Sequence, residues 1–136
     1  MPTPVSPTPA ARRVLLVEDD RHVRTVASRI LRRDGYEVIE ATTGREAVDV
    51  FSTLEGRVDL ILTDLVLPEL GGRALMRALA ERGPVPPVVF MSGYSAEAMG
   101  AQASLEVGEQ FLEKPFTAEV LLARVREGLL AKSRAG

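Results

Sequence analysis

Apolar residues recur along this chain in two alternating rhythms. Val14-Leu15-Leu16-Val17 is a short continuous run, the pattern of a strand covered on both faces. Val23, Val26, Ala27, Ile30 and Leu31 follow at i, i+3, i+4, i+7 and i+8, which predicts an amphipathic helix ended by Asp34-Gly35. Tyr36–Ala41 reads as the next strand. Thr43-Gly44-Arg45-Glu46 fits a capping box, and Ala47, Phe51 and Leu54 give its helix a buried stripe. Val58–Thr63 is the third strand. Leu75, Met76 and Leu79 mark a third helix stopped near Gly83-Pro84. Val88–Met91 is the fourth strand, and Gln110–Leu112 a short fifth. Residues 95–107 between them are Ala-rich and weakly periodic, and carry the least defined helix. Thr117 caps a last helix bearing Val120, Leu121, Val125 and Leu129.

Five strands alternating with five helices predict an α/β fold, an open parallel sheet with helices on both faces. Ligands of such sheets bind beyond the carboxyl ends of the strands, at a topological switch point. Glu18-Asp19-Asp20 follows strand one, Asp64 strand three, Ser92 strand four and Lys114 strand five. All lie on one edge, so acids, a hydroxyl and an ammonium converge on one shallow pocket.

Composition narrows the picture without redirecting it. The 136 residues suffice for one domain with a real core, and 46% apolar with 26% charged residues is ordinary for a globular chain. Seventeen basic against 19 acidic residues give −2, so no attraction to nucleic acid or to an anionic membrane is expected. No cysteine is present, which excludes disulfides and thiolate metal sites and fits a cytoplasmic protein. No run approaches the roughly 20 apolar residues of a membrane helix. Residues 1–11, with four prolines, read as a disordered tail or linker, 12–132 as the folded domain and 133–136 as a disordered C-terminus.

A carboxylate just past a buried strand is costly unless it is used. Oxygen-only ligands suit a hard cation, Mg²⁺ or Mn²⁺, which needs few carboxylates when water and phosphate oxygens complete its shell. Asp19 and Asp64 could ligate directly and Glu18 through a water. A carboxylate can also accept a phosphoryl group, with metal and lysine offsetting the charge in transit. The bland alternatives are Asp20 as a helix N-cap, His22 as a solvated helix-start residue, Asp59 as a surface residue and Met91 and Met99 as packing.

Val-Glu-Asp-Asp (17–20), Leu-Thr-Asp-Leu-Val-Leu-Pro (62–68), Phe-Met-Ser-Gly-Tyr (90–94) and Leu-Glu-Lys-Pro-Phe (112–116) together resemble the receiver domain of bacterial two-component response regulators. The resemblance covers about residues 12–132. It implies a flavodoxin-like sheet of order 2-1-3-4-5 and a Mg²⁺-dependent switch phosphorylated by a histidine kinase or a histidine phosphotransfer protein. Asp64 would be the acceptor. Glu18, Asp19, Asp64 and the backbone carbonyl of Val66 would hold the metal. Ser92 would be the switch hydroxyl, Lys114 the partner of the phosphoryl group, and the Lys114-Pro115 bond cis. The motifs around Ser92 and Lys114 also look like receivers attached to hybrid histidine kinases. No DNA-binding segment is expected, so output passes to a protein partner or another domain.

Three departures from the family pattern matter. Glu18 stands where Asp is commoner. Phe111 stands where the switch aromatic is often Tyr, and a phenyl ring has no hydroxyl to bond as it turns. The weak stripe over 95–107 argues against the dimer that many relatives form there, so a monomer or weak dimer is expected. Val66 and Tyr94 flank the water approach and suggest slow autodephosphorylation. A phosphatase of the haloacid dehalogenase type also uses a strand-end Asp, but needs a second Asp where Val66 stands. A receiver-like binding module with a dead site is opposed by the intact set of Asp19, Asp64, Ser92 and Lys114.

Overall fold

In a computed structural model, residues 11–93 and 109–135 are described, with side chains to residue 131. Five strands form one parallel sheet in the order β2-β1-β3-β4-β5. They are β1 (Arg13–Val17), β2 (Glu37–Ala41), β3 (Leu60–Asp64), β4 (Val88–Ser92) and β5 (Glu109–Glu113). The four described helices are α1 (Arg21–Arg33), α2 (Gly44–Thr53), α3 (Gly72–Ala80) and α4 (Ala118–Ala135). The expected helix over 95–107, with Tyr94 and Met99, lies outside the described residues.

The continuous apolar runs arise because both sheet faces are covered. Along β1, Val14 and Leu16 join one core with Ala27 and Leu31 of α1 and Leu121 and Val125 of α4. Leu15 and Val17 point the other way, into a second core with Ala47 and Phe51 of α2 and Leu75 and Leu79 of α3. Period-2 alternation thus sends the apolar residues of β1, β3 and β4 to two covered faces, while the edge strands β2 and β5 carry exposed glutamates, Glu37, Glu40 and Glu113.

Helix starts follow local chemistry. Asp20 caps α1, its side chain accepting the Val23 N–H at 3.0 Å. Thr43 caps α2 through the Glu46 N–H at 3.0 Å, and Glu46 reaches back to the Thr42 N–H rather than to that of Thr43, a displaced form of the expected box. The α3 start has no side-chain cap. There Gly72 lets the helix pass so close that a Cβ would meet the Asp64 carbonyl oxygen at 2.6 Å. Asp59 is half-buried rather than a free surface residue, because its carboxylate accepts the Arg13 N–H at 2.7 Å.

Candidate functional site

The parallel register brings four strand ends to one edge. Val17 of β1 lies beside Thr63 of β3, Asp64 beside Met91 of β4, and Ser92 beside Glu113 of β5. The ladder runs on past the strands. Glu18 N–H bonds the Ala41 carbonyl at 3.0 Å, Leu65 N–H that of Met91 at 2.8 Å, and Lys114 N–H that of Ser92 at 2.7 Å. Residues next after β1, β3 and β5 are therefore held by the sheet itself.

Lys114 stands at the centre of the cluster. Its Nζ lies 2.6 Å from Asp64 Oδ2 and 2.7 Å from Glu18 Oε1. The other oxygen of each acid accepts a backbone N–H, Asp20 on Glu18 Oε2 and Val66 on Asp64 Oδ1, both at 3.0 Å. One carboxylate oxygen from each of Glu18, Asp19 and Asp64 lies within 4.8 Å of the other two. Glu18 and Asp64 are buried while Asp19 is exposed, so the cluster has a closed floor and an open mouth. The longer arm of Glu18 reaches Lys114 directly.

Burial sets the electrostatics. It pushes the Glu18 carboxyl up to about 7, against the opposing hydrogen bonds from Lys114 and Asp20. Burial alone would lower the Lys114 ammonium, but its bonds to Asp64 and Glu18 outweigh that and hold it above the usual lysine value. With every acid ionised, three carboxylates and one lysine leave the pocket a formal −2, and its all-oxygen donor set fits a small divalent cation.

Ser92 closes β4 and is fully buried. Lys114-Pro115 is cis. Val66 is 58% exposed just beyond Asp64. Phe111, at the other end of the expected switch, sits half-buried against the core that contains Phe90, its neighbour across the β4–β5 ladder. His22 is exposed. Arg24, which the sequence pattern did not single out, donates through Nη1 to the Glu18 carbonyl at 2.9 Å and the Asp19 carbonyl at 3.4 Å. Its only advance signal is a cation one helical turn past the N-cap, within reach of the loop before it.

A five-stranded 2-1-3-4-5 sheet with acids and a lysine at its carboxyl edge defines a flavodoxin-like protein of the receiver class. Residues 14–126 match the response regulator receiver domain family. The chain is 39% identical over 116 residues to the sensor kinase CckA of Brucella abortus, covering 85% of this chain and 12% of that one. It is 32% identical over 115 residues to the transcriptional regulatory protein CpxR of Escherichia coli, covering 84% of this chain and 47% of CpxR. The crystal structure of the receiver domain from the hybrid histidine kinase CckA superposes with a TM-score of 0.73 at 38% identity, covering 86% of this chain and 98% of that domain. The chain belongs to the response regulator receiver family, a signalling switch of two-component systems. It spans about half or less of the curated relatives named here. No helix among the described residues is long and apolar enough to cross a membrane.

Proposed function

We propose that residues 12–132 form a cytoplasmic phosphoacceptor switch in which Asp64 takes a phosphoryl group from the phosphohistidine of a histidine kinase or phosphotransfer protein. The observation that carries this is Lys114 Nζ at 2.6 Å from a buried strand-end carboxylate that also belongs to a three-acid cluster. An Asp64 oxygen attacks phosphorus, a P–O bond forms, and the P–N bond breaks with its electron pair returning to the donor imidazole. Lys114 is already placed to follow the charge from carboxylate to phosphoryl oxygens. Val66 N–H fixes the rotamer of Asp64 through Oδ1. Ser92, at the end of β4, supplies a hydroxyl on the same edge.

Glu18, Asp19, Asp64 and the Val66 carbonyl would hold Mg²⁺ or Mn²⁺. When bound, the cation offsets charge on the transferring group. The added phosphoryl charge then draws Ser92 inward and biases a two-state equilibrium of the β4–β5 end.

The test is direct. Mg²⁺ with beryllium fluoride or acetyl phosphate should shift backbone amide resonances around Asp64, Ser92 and Lys114, and Asp64→Asn should abolish the shift. An unresponsive wild type would instead support a binding module with a dead site, and turnover of small phosphate esters would support a phosphatase.

A further inference from the structure

We propose that Arg24 is the positioning residue of the acidic site, fixing where Glu18 and Asp19 stand relative to Asp64, with Glu40 of the edge strand anchoring Arg24. The inference rests on the reading of those three acids as Mg²⁺ ligands.

Glu18 has no exposed surface, so its carbonyl cannot turn to water. A buried carbonyl without a donor is costly, and Arg24 Nη1 supplies that donor at 2.9 Å. The same nitrogen reaches the Asp19 carbonyl at 3.4 Å, so one guanidinium ties the backbone of both acids to α1. Arg24 is itself largely withdrawn from solvent, its side chain 16% exposed, and Nε faces Glu40 Oε1 at 3.3 Å. The other Glu40 oxygen accepts the Ser28 hydroxyl at 3.1 Å and faces Arg32 at 3.4 Å.

Four hydrogen bonds, drawn from β2, α1 and the segment after β5, thus hold Glu18. Its N–H bonds Ala41 of β2, its carbonyl bonds Arg24 of α1, and its carboxylate takes Lys114 after β5 and the Asp20 N–H at the α1 cap. If the turn swung outward, the buried carbonyl and the shielded guanidinium would lose each other. Restraint of ligands by outer partners commonly sets metal affinity. Arg24 suits the task because its planar fork bonds carbonyls on one edge and a carboxylate on another, which a lysine ammonium does poorly.

The experiment measures Mg²⁺ affinity by calorimetry on the full chain, beside thermal unfolding in chelator, for wild type, Arg24→Gln, Arg24→Lys and Glu40→Gln. Arg24→Gln should weaken Mg²⁺ about 10-fold or more, and Glu40→Gln less. Arg24→Lys, which keeps the charge beside Glu40, should recover part of the stability that Arg24→Gln loses yet still lose Mg²⁺ affinity, a split that a merely structural tether would not give. Folded Arg24 variants that bind Mg²⁺ like wild type overturn the proposal, whatever their stability. Should both Arg24 variants fail to fold, unchanged affinity in Glu40→Gln overturns it and weakened affinity supports it. A wild type that binds no Mg²⁺ overturns the metal reading, and the positioning role with it.

Discussion

Lys114 serves two carboxylates at once, and that decides what its loss does. Removing one partner of a fully buried ion pair costs about 3–5 kcal/mol because the other charge is stranded. Lys114 is 18% exposed, so water relieves part of that cost and Lys114→Met should lose about 2 kcal/mol in metal-free urea unfolding. A divalent cation facing the same acids should return part of the loss. A metal-free variant as stable as wild type would show that the ammonium does not hold the cluster together. Glu18 gives a prediction of opposite kind. Its pKa rises on folding from 4.5 to about 7, so between those values the folded chain keeps a proton that the unfolded chain has released. Stability from this group is full below about 4.5 and is lost as pH rises through about 7. Glu18→Gln keeps the neutral form at every pH. Its unfolding temperature in chelator should gain on wild type as pH is raised from about 5 to about 8. A difference that stays flat with pH would show that burial of this carboxyl is not felt. Asp64 and Lys114 were legible in the sequence because each follows an apolar strand run. Arg24 and Glu40 were not, because their link depends on how far a long side chain reaches back, which no hydrophobic period encodes.

The elements themselves were legible because covered strands and one-sided helices have different periods. The strand bounds moved by a residue or two for local reasons. The apolar run predicts Val58 and Asp59 in the third strand, but β3 starts at Leu60, and Asp59 just before it bonds the Arg13 carbonyl through its own N–H at 2.8 Å and the Arg13 N–H through its carboxylate. The apolar run places Asp64 just past the strand; it is the last residue of β3, paired with Met91. Close approaches between elements were invisible, since a glycine in a helix does not announce what it faces. Two glycines now separate by consequence. A Cβ on Gly72 would meet the Asp64 carbonyl at 2.6 Å and the Leu65 Cα at 3.2 Å, both backbone. Gly72→Ala should therefore push α3 off β3 and cost about 1–3 kcal/mol. At Gly128 in α4 the nearest atom is the Leu60 Cδ1 at 2.8 Å, the tip of a side chain that can turn. Helix propensity favours Ala over Gly by about 1 kcal/mol, so Gly128→Ala should come out near neutral. Chemical denaturation of the two variants side by side checks the contrast, and equal losses would contradict it.

At the scale of the whole molecule the question is how a change at Asp64 leaves the site. The sheet offers a route through its backbone. Leu65 N–H bonds the Met91 carbonyl, and Lys114 N–H bonds the Ser92 carbonyl, so β3, β4 and β5 are joined where Asp64, Ser92 and Lys114 stand. Farther along, Phe111 pairs with Phe90, and Arg73 of α3 lies over the Phe90 ring at 4.7 Å while pairing with Glu109 of β5 at 3.0 Å. A phenyl ring at 111 has no hydroxyl to exchange partners, and its half-buried packing supplies only contact. If coupling runs through the ladder, a smaller apolar residue there should leave it intact. In Phe111→Leu, beryllium fluoride with Mg²⁺ should still shift the amides of Glu109–Lys114 by nearly the wild-type amount, with stability down about 1 kcal/mol from lost packing. Loss of the β5 response while the Asp64 and Ser92 amides still move would place the ring on the path and the ladder off it.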